Sequence, residues 1–421
     1  MPQPPRTAPV VLAGFCAFLN LYATQPILPL LETIFRASHL QVSLTITAAT
    51  CGVALAAPFI GQIADRVGRK RVIVVSAAIA GLTTLLAATA TTLNWLVFWR
   101  FLQGIVTPGV FAVTVAYIND EWPPERAASG VGAYVSGTIL GGFSGRVLAG
   151  FIAERLEWQW VFIALGSLGL VIAAVLAFGL PAESRFREHP SGARFFETAI
   201  SHLRNRRLLA TYLGALCVLF TQVALFTYVT FYLAGPPFRL SPLLLGLIFC
   251  VYLVGAAVTP FAGRAIDRFG HRVAMQAACV LGAAGAALSL VPQLPVIIMG
   301  LALCSSGVFI ANAAATSYIG RVAGHGRALA VGIYVTFYYV GGSLGSSGPG
   351  WLWAAYGWPG CVGLIIGVQT LLAAVAWFGW ESRRLSVAPG PSSYTGQSIG
   401  RLPGQSRRGE HSTQPHGLDR R

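Results

Sequence analysis

Two arginines lie inside long apolar runs: Arg100 in Trp99-Arg100-Phe101-Leu102-Gln103-Gly104, and Arg146 in Gly141-Gly142-Phe143-Ser144-Gly145-Arg146. An arginine in hydrocarbon costs at least about 3 kcal/mol unless it faces water or a partner. Arg100 is therefore expected to point into a helix bundle or a cavity. Arg146 can do the same, or snorkel its head group to the interface. Neutral polar groups accompany them. Gln103 follows Arg100 by one helical turn, and Asn20 and Gln25 share the first apolar run. Gln222, Tyr228, Asn312, Tyr334 and Tyr338 are further cavity candidates. Groups of this kind bind solutes; they do not make or break bonds.

Reactive constellations are missing from the apolar runs: no Ser/His/Asp set, phosphate loop or metal-ligand spacing is found there. A membrane enzyme or sensor would need one. All 14 acids fall in loops, tails or the ends of apolar runs. The fixed charge of the interior is thus Arg100 and, if it points inward, Arg146, which favours neutral or anionic solutes. If protons are coupled to movement, their carriers are acids at a cavity mouth, such as Glu32, Asp120 or Glu121. The seven cysteines lie inside apolar runs without a CxxC pair, so they are read as small packing residues, with neither disulfide nor metal implied.

The elements that must position these groups are helices in a bilayer. Hydrophobic residues make up 55% of the 421 positions and charged residues 10%, against about 25% charged in soluble domains. Crossing the hydrocarbon takes roughly 20 helical residues. Twelve runs are long enough: 9–31, 43–64, 72–91, 93–117, 128–152, 158–180, 208–233, 242–262, 273–292, 295–318, 328–350 and 357–379. No cleavable signal peptide is expected, since the first run is long and ends in a Pro-rich segment. The net charge of +15 does not point to nucleic acid, because it is distributed by side. With the N-terminus inside, the outer loops hold only Arg36, Arg155 and Arg239, and nearly all other basic residues fall inside. That asymmetry is the positive-inside rule and sets both termini in the cytoplasm.

The chain also repeats itself. Gly61-Gln-Ile-Ala-Asp65-Arg66-Val-Gly68-Arg69-Lys70-Arg71 returns about 200 positions later as Gly263-Arg-Ala-Ile-Asp267-Arg268-Phe-Gly270-His271-Arg272. Each copy is a charged turn following a Pro-Phe pair. Gly61 and Gly68 are expected to allow close helix approach and a sharp turn. The repeat extends to Gly132, Tyr134, Gly141, Gly142, Gly145 and Trp158, which recur as Gly332, Tyr334, Gly341, Gly342, Gly345 and Trp358. The expected domains are a bundle at 1–180, a charged linker at 181–207 and a second bundle at 208–380. Residues 381–421, rich in Pro, Ser, Gly, Gln and Arg, are expected to be disordered.

The duplicated hairpin resembles the signature loop of the major facilitator superfamily. The resemblance covers 9–380 and implies an all-α integral membrane fold of 12 transmembrane helices in two pseudo-symmetric six-helix bundles. It also implies a conformational latch. Asp65 would meet the start of the helix near Ala328, and Asp120 would meet Arg69 or another loop base. Arg66, Asp267 and Arg268 complete that set, and the second copy should latch more weakly because it departs at His271. The Arg100-x-x-Gln103-Gly104 element is similar to one linked to proton-coupled members. Gly137-x-x-x-Gly141-Gly142-x-x-Gly145 is similar to the Gly-rich element of efflux branches, with Gly142 where a proline is usual. Asn20 to Pro29 is similar to the Pro-x-x-Pro first helix of the drug:proton antiporter-1 branch. Together these resemble bacterial inner-membrane efflux permeases, some named for arabinose export. The implied function is proton-coupled efflux of a drug, sugar or metabolite, with no cofactor beyond an ion gradient. Uptake by symport or uniport shares the fold and stays open. Expected partners are a small-molecule substrate and membrane lipid, with no nucleic acid, and the protein is expected to be a monomer.

Overall fold

A computed structural model describes residues 7–181, 183, 195–323 and 327–381. Among these every regular element is a helix. The first half comprises α1 (Thr7–Leu19), α2 (Leu28–Phe35), α3 (His39–Val67), α4 (Arg69–Ala87), α5 (Leu93–Val106), α6 (Pro108–Glu121), α7 (Pro124–Arg155) and α8 (Trp158–Gly179). The amphipathic α9 (Phe195–Arg204) lies in the stretch expected to be linker. The second half comprises α10 (Arg206–Ala234), α11 (Pro242–Ile248), α12 (Val251–Phe269), α13 (His271–Leu288), α14 (Leu294–Val322), α15 (Arg327–Ser347) and α16 (Pro349–Gly379).

Local chemistry sets the boundaries. Ser38 closes a capping box with Gln41 at the start of α3, and the side chains of Thr92, Asn205 and Ser241 cap α5, α10 and α11. Gly68 and Gly270 make the two charged turns with φ of 100° and 87°, where a side chain would be strained. Gly357, with φ of 62°, breaks the last helical stretch just before Pro359.

Nine helical stretches among the described residues are long and apolar enough to cross a membrane. A tally of twelve would add three segments. These are residues 9–31 as one broken crossing, α13, and α15 continued to the break at Gly357. The first run departs most from expectation. Its helix stops at Leu19, turns through Asn20–Thr24 and resumes after a single 3-10 turn at Gln25–Ile27, because Pro26 and Pro29 cannot donate to the ladder. Large apolar side chains point outward, with Phe178 90% and Phe378 74% exposed, as expected when lipid is the solvent.

The repeat is visible in packing. Gly137, Gly141 and Gly145 of α7 lie against the backbone carbonyls of Val11, Phe15 and Leu19 of α1. Gly341 and Gly345 of α15 do the same with Leu216 and Phe220 of α10. Small residues let helix backbones touch where the bilayer supplies no hydrophobic drive. Of the segment expected to be tail, only Glu381 is described, and it pairs with Arg207. The rest of that segment, and most of the linker between Pro181 and Phe195, lie outside the described residues.

Candidate functional site

Arg100 is 1% exposed and sits beneath the break in the first crossing. Its Nη1 donates to the Asn20 carbonyl at 2.8 Å and to Gln103 Oε1, its Nη2 donates to the Leu21 carbonyl, and its Nε donates to Thr45 O at 3.3 Å. Four of the five N–H groups of the guanidinium are thereby engaged. Asn20 and Leu21 lie just past the end of α1, where helical carbonyls lack partners and the helix dipole favours a cation. Gln103 passes the link on, since its Nε2 donates to Thr84 Oγ1 at 3.0 Å on α4. Arg100 and Gln103, expected to serve solute or coupling, here form a brace around the unwound turn. Asn20 enters it through its carbonyl, while its side-chain Oδ1 is buried without a partner.

Arg146 is built differently. It is 3% exposed, so it does not snorkel to the interface. Its Nε donates to Gln25 Oε1 at 2.8 Å, and Nη1 donates to the Gly142 carbonyl at 2.7 Å. Gly142 leaves room for that return, since a Cβ there would sit 3.3 Å from Nη1. The guanidinium carbon lies 5.0 Å from the Tyr22 ring centre, 4.6 Å from Phe249 and 5.0 Å from Tyr252. These rings come from both halves, Tyr22 from the unwound turn after α1 and the other two from around the α11–α12 junction. Gln25 crosses between halves as well, donating from Nε2 to Thr227 Oγ1 at 3.2 Å. Gln222 reaches the Tyr252 hydroxyl, and both Gln222 and Tyr338 stay partly exposed. Asn312 and Tyr334 pair with each other, Tyr334 donating to Oδ1 at 3.0 Å. Tyr228 donates to Ser346 O at 3.0 Å and is a buried packing residue.

The two ends of the bundle are held unequally. At the end opposite the charged turns, Ser346 donates to Ser43 O at 2.8 Å, and Thr50 and Ser343 hydroxyls meet at 2.9 Å. Glu154 of α7 accepts from Ser241 Oγ (2.8 Å) and Leu243 N (3.0 Å) at the start of α11. Gly150 packs on the backbone of Pro242 and Leu243, and Gly246 packs on that of Arg146 and Val147. Toward the charged turns the glycines are less closely packed. A Cβ on Gly342 would meet Thr50 at 3.4 Å and one on Gly332 would meet Pro58 at 3.8 Å, while Gly61, Gly132 and Gly263 face open space. This corrects one expectation: Gly61 lies within α3 and makes no close approach. Gly68 alone turns the chain in the first copy.

In that first copy Arg69 gathers the charges. It donates to Ala116 O at 2.7 Å, pairs with Asp65 at 3.4 Å and pairs with Asp120. Glu183 accepts from Lys70 N at 2.6 Å and so caps α4. Arg66 is exposed. The partner of Asp65 is therefore in its own turn. Residues 324–326, just before the helix near Ala328 that it was expected to meet, lie outside the described residues. In the second copy Asp267 is exposed, Arg268 lies 5.1 Å from the Phe269 ring, and His271 Nε2 meets Ser317 Oγ at 2.7 Å. Burial pushes the His271 imidazole down, helped by Arg321.

Sequence reasoning missed Tyr22, Phe249 and Tyr252 around Arg146, and the Glu154–Ser241 bridge. Aromatic residues inside a span carry no mark of which neighbour they face. Ser241 caps α11 and Glu154 ends α7, and only the packing of the two halves brings them together.

The family profile of the Major Facilitator Superfamily matches residues 10–345 and 235–406. The chain belongs to that superfamily. It is 30% identical over 377 residues to an uncharacterized MFS-type transporter, YybF, of Bacillus subtilis, covering 89% of this chain and 93% of that one. It is 31% identical over 364 residues to the inner membrane transport protein YnfM of Escherichia coli, covering 86% and 87%. Among solved structures it is similar to a bacterial homologue of the lysosomal transporter Spinster in an inward-facing, unoccupied conformation, with a TM-score of 0.67, 17% identity and coverage of 89% and 94%. It is also similar to the nucleoside transporter NupG, with a TM-score of 0.72, 13% identity and coverage of 89% and 100%. The fold is the helical membrane fold of such transporters.

Proposed function

We propose that this transporter exports a small neutral or anionic solute across a bacterial inner membrane by alternating access, in exchange for protons. The observation behind it is the taper between halves. Hydrogen-bonded contact at the Glu154 end gives way to unfilled glycine surfaces at the charged-turn end. Gly61, Gly132 and Gly263 are small enough for close packing that this state does not use. Rocking the halves would bring them together and open the other end, exposing one central site to each side in turn. The charged turns then face the cytoplasm, as do both termini, and this state is open inward.

The solute preference comes from the interior charge, which is basic at Arg146 and Arg100. Candidate proton carriers are Glu32, Asp120 and Glu121. Asp120 is engaged by Arg69. Glu32 lies just past the first crossing, 3.3 Å from His39 Nδ1, and burial raises its carboxyl above the usual carboxylate range. Glu32 would thus take up a proton at a pH where an exposed glutamate stays ionised.

Everted membrane vesicles energised to an acidic interior test the direction and the coupling. The proposal expects saturable accumulation of a neutral or anionic solute that collapses with an uncoupler and weakens in Glu32→Gln. Uptake in right-side-out cells that grows with the proton gradient would reverse the direction. Saturable export of a lipophilic cation would contradict the solute class.

A further inference from the structure

We propose that the Arg146 cage is the binding site for an organic anion bearing a flat apolar ring, an aromatic carboxylate being the simplest member of that class. The fate of the bound anion rests on the transport reading; the site itself stands on its own chemistry.

The charge comes first. Arg146 is buried, and none of the ion pairs found among the described residues involves it. A buried cation without an anion is costly, and a bound carboxylate that takes its free N–H groups offsets part of that cost. Donors come second. Only Nε and one Nη1 N–H have acceptors among the described residues, both neutral, whereas Arg100 has four engaged. A guanidinium can take a carboxylate with two parallel N–H groups. The walls come third. Tyr22, Phe249 and Tyr252 lie at 4.6–5.0 Å from the guanidinium carbon, so a flat ring attached to the carboxylate would meet aromatic surface. Finally, the Tyr22 hydroxyl is buried without a partner on a side chain 7% exposed, and the Thr24 hydroxyl nearby in sequence is likewise orphaned. The Tyr22 hydroxyl, on a ring beside the guanidinium, could donate to a carboxylate oxygen. Gln222, which reaches Tyr252, stays partly exposed. Because the rings come from both halves, an anion bound there would be held by both.

The test uses the full chain in lipid nanodiscs and in proteoliposomes, with benzoate, benzamide and acetate as probes. Binding is measured by calorimetry, and flux by counterflow of radiolabelled probe. Wild type should bind benzoate at least tenfold more tightly than benzamide, which lacks the charge, and than acetate, which lacks the ring. Arg146→Gln should bring the benzoate-to-benzamide ratio to near one while retaining benzamide, and Arg146→Lys should restore part of it. Tyr22→Phe should weaken benzoate several-fold with less effect on benzamide. Equal or tighter binding of benzamide by wild type, or no binding of benzoate at all, overturns the proposal. So does an Arg146→Gln variant that keeps the preference. The wild-type comparison decides even if the variants fail to fold. Benzoate preference without counterflow would leave the site standing and remove the transport reading. Flux of other solutes without anion preference would do the reverse.

Discussion

The two buried arginines occupy similar settings in sequence and opposite ones in space. Arg100 has four donors spent, two on the Asn20 and Leu21 carbonyls where the first crossing unwinds and two on Thr45 O of α3 and Gln103 Oε1. Arg146 is surrounded by rings and has donors to spare. A buried guanidinium is thus no signal of function by itself; what matters is whether the fold has already satisfied it. The two ends of the bundle make the same distinction at larger scale. One is filled by backbone contact at Gly150 and Gly246, and the other keeps glycines with nothing against them.

The sharpest break in that comparison should come from Arg100→Ala. It strips the donor from the Leu21 carbonyl and from Gln103 Oε1, each worth about 1–3 kcal/mol when left unsatisfied, and removes a second donor from Asn20 O and Thr45 O. Thermal unfolding of detergent-purified protein should show a loss larger than for Arg146→Ala. Comparable losses would mean that both residues are braces. Next, Gly150→Leu forces a side chain into the backbone of α11, and overpacking of this kind costs about 1–3 kcal/mol. It should destabilise the closed Glu154 end. Gly61→Leu, into open space, should leave the melting temperature unchanged and still reduce flux at least tenfold, because the unpopulated closure needs that surface. A flux unchanged by Gly61→Leu would remove the glycine argument. Glu154→Gln keeps the geometry but weakens a charge-assisted cap, an effect of about 0.3–1 kcal/mol at a helix start. Asp65→Asn should be the mildest, since partly exposed pairs contribute about 0–1 kcal/mol and Arg69 keeps Asp120.

Much of this is legible in the chain. The repeated charged turn, the apolar runs and the paired glycine spacings report the fold because each arises from local chemistry repeated twice. The glycines of α7 have the spacing of packing residues, and they touch α1 at Val11, Phe15 and Leu19. Arg100 is recognisable as inward-pointing, since hydrocarbon forbids the alternative. Its partners are not recognisable, because backbone carbonyls at an unwound turn leave no mark in residue type. The aromatic cage is hidden for a related reason. Tyr22 and Tyr252 lie 230 positions apart in sequence, and only packing of the two halves brings them to one guanidinium. Gly61 misleads because its spacing suits a close approach that this state of the molecule does not make.

Pulsed electron-electron distance measurements in nanodiscs test the central claim most directly. Spin labels would be placed at Arg126 and Arg264 on the charged-turn end and at Glu157 and Arg239 on the other, with the seven native cysteines replaced. Introducing Gly150→Leu should shorten the first distance and lengthen the second, and Gly61→Leu should not shorten the first. Distances that stay fixed in both pairs, or that lengthen together, would contradict an account in which one end closes as the other opens.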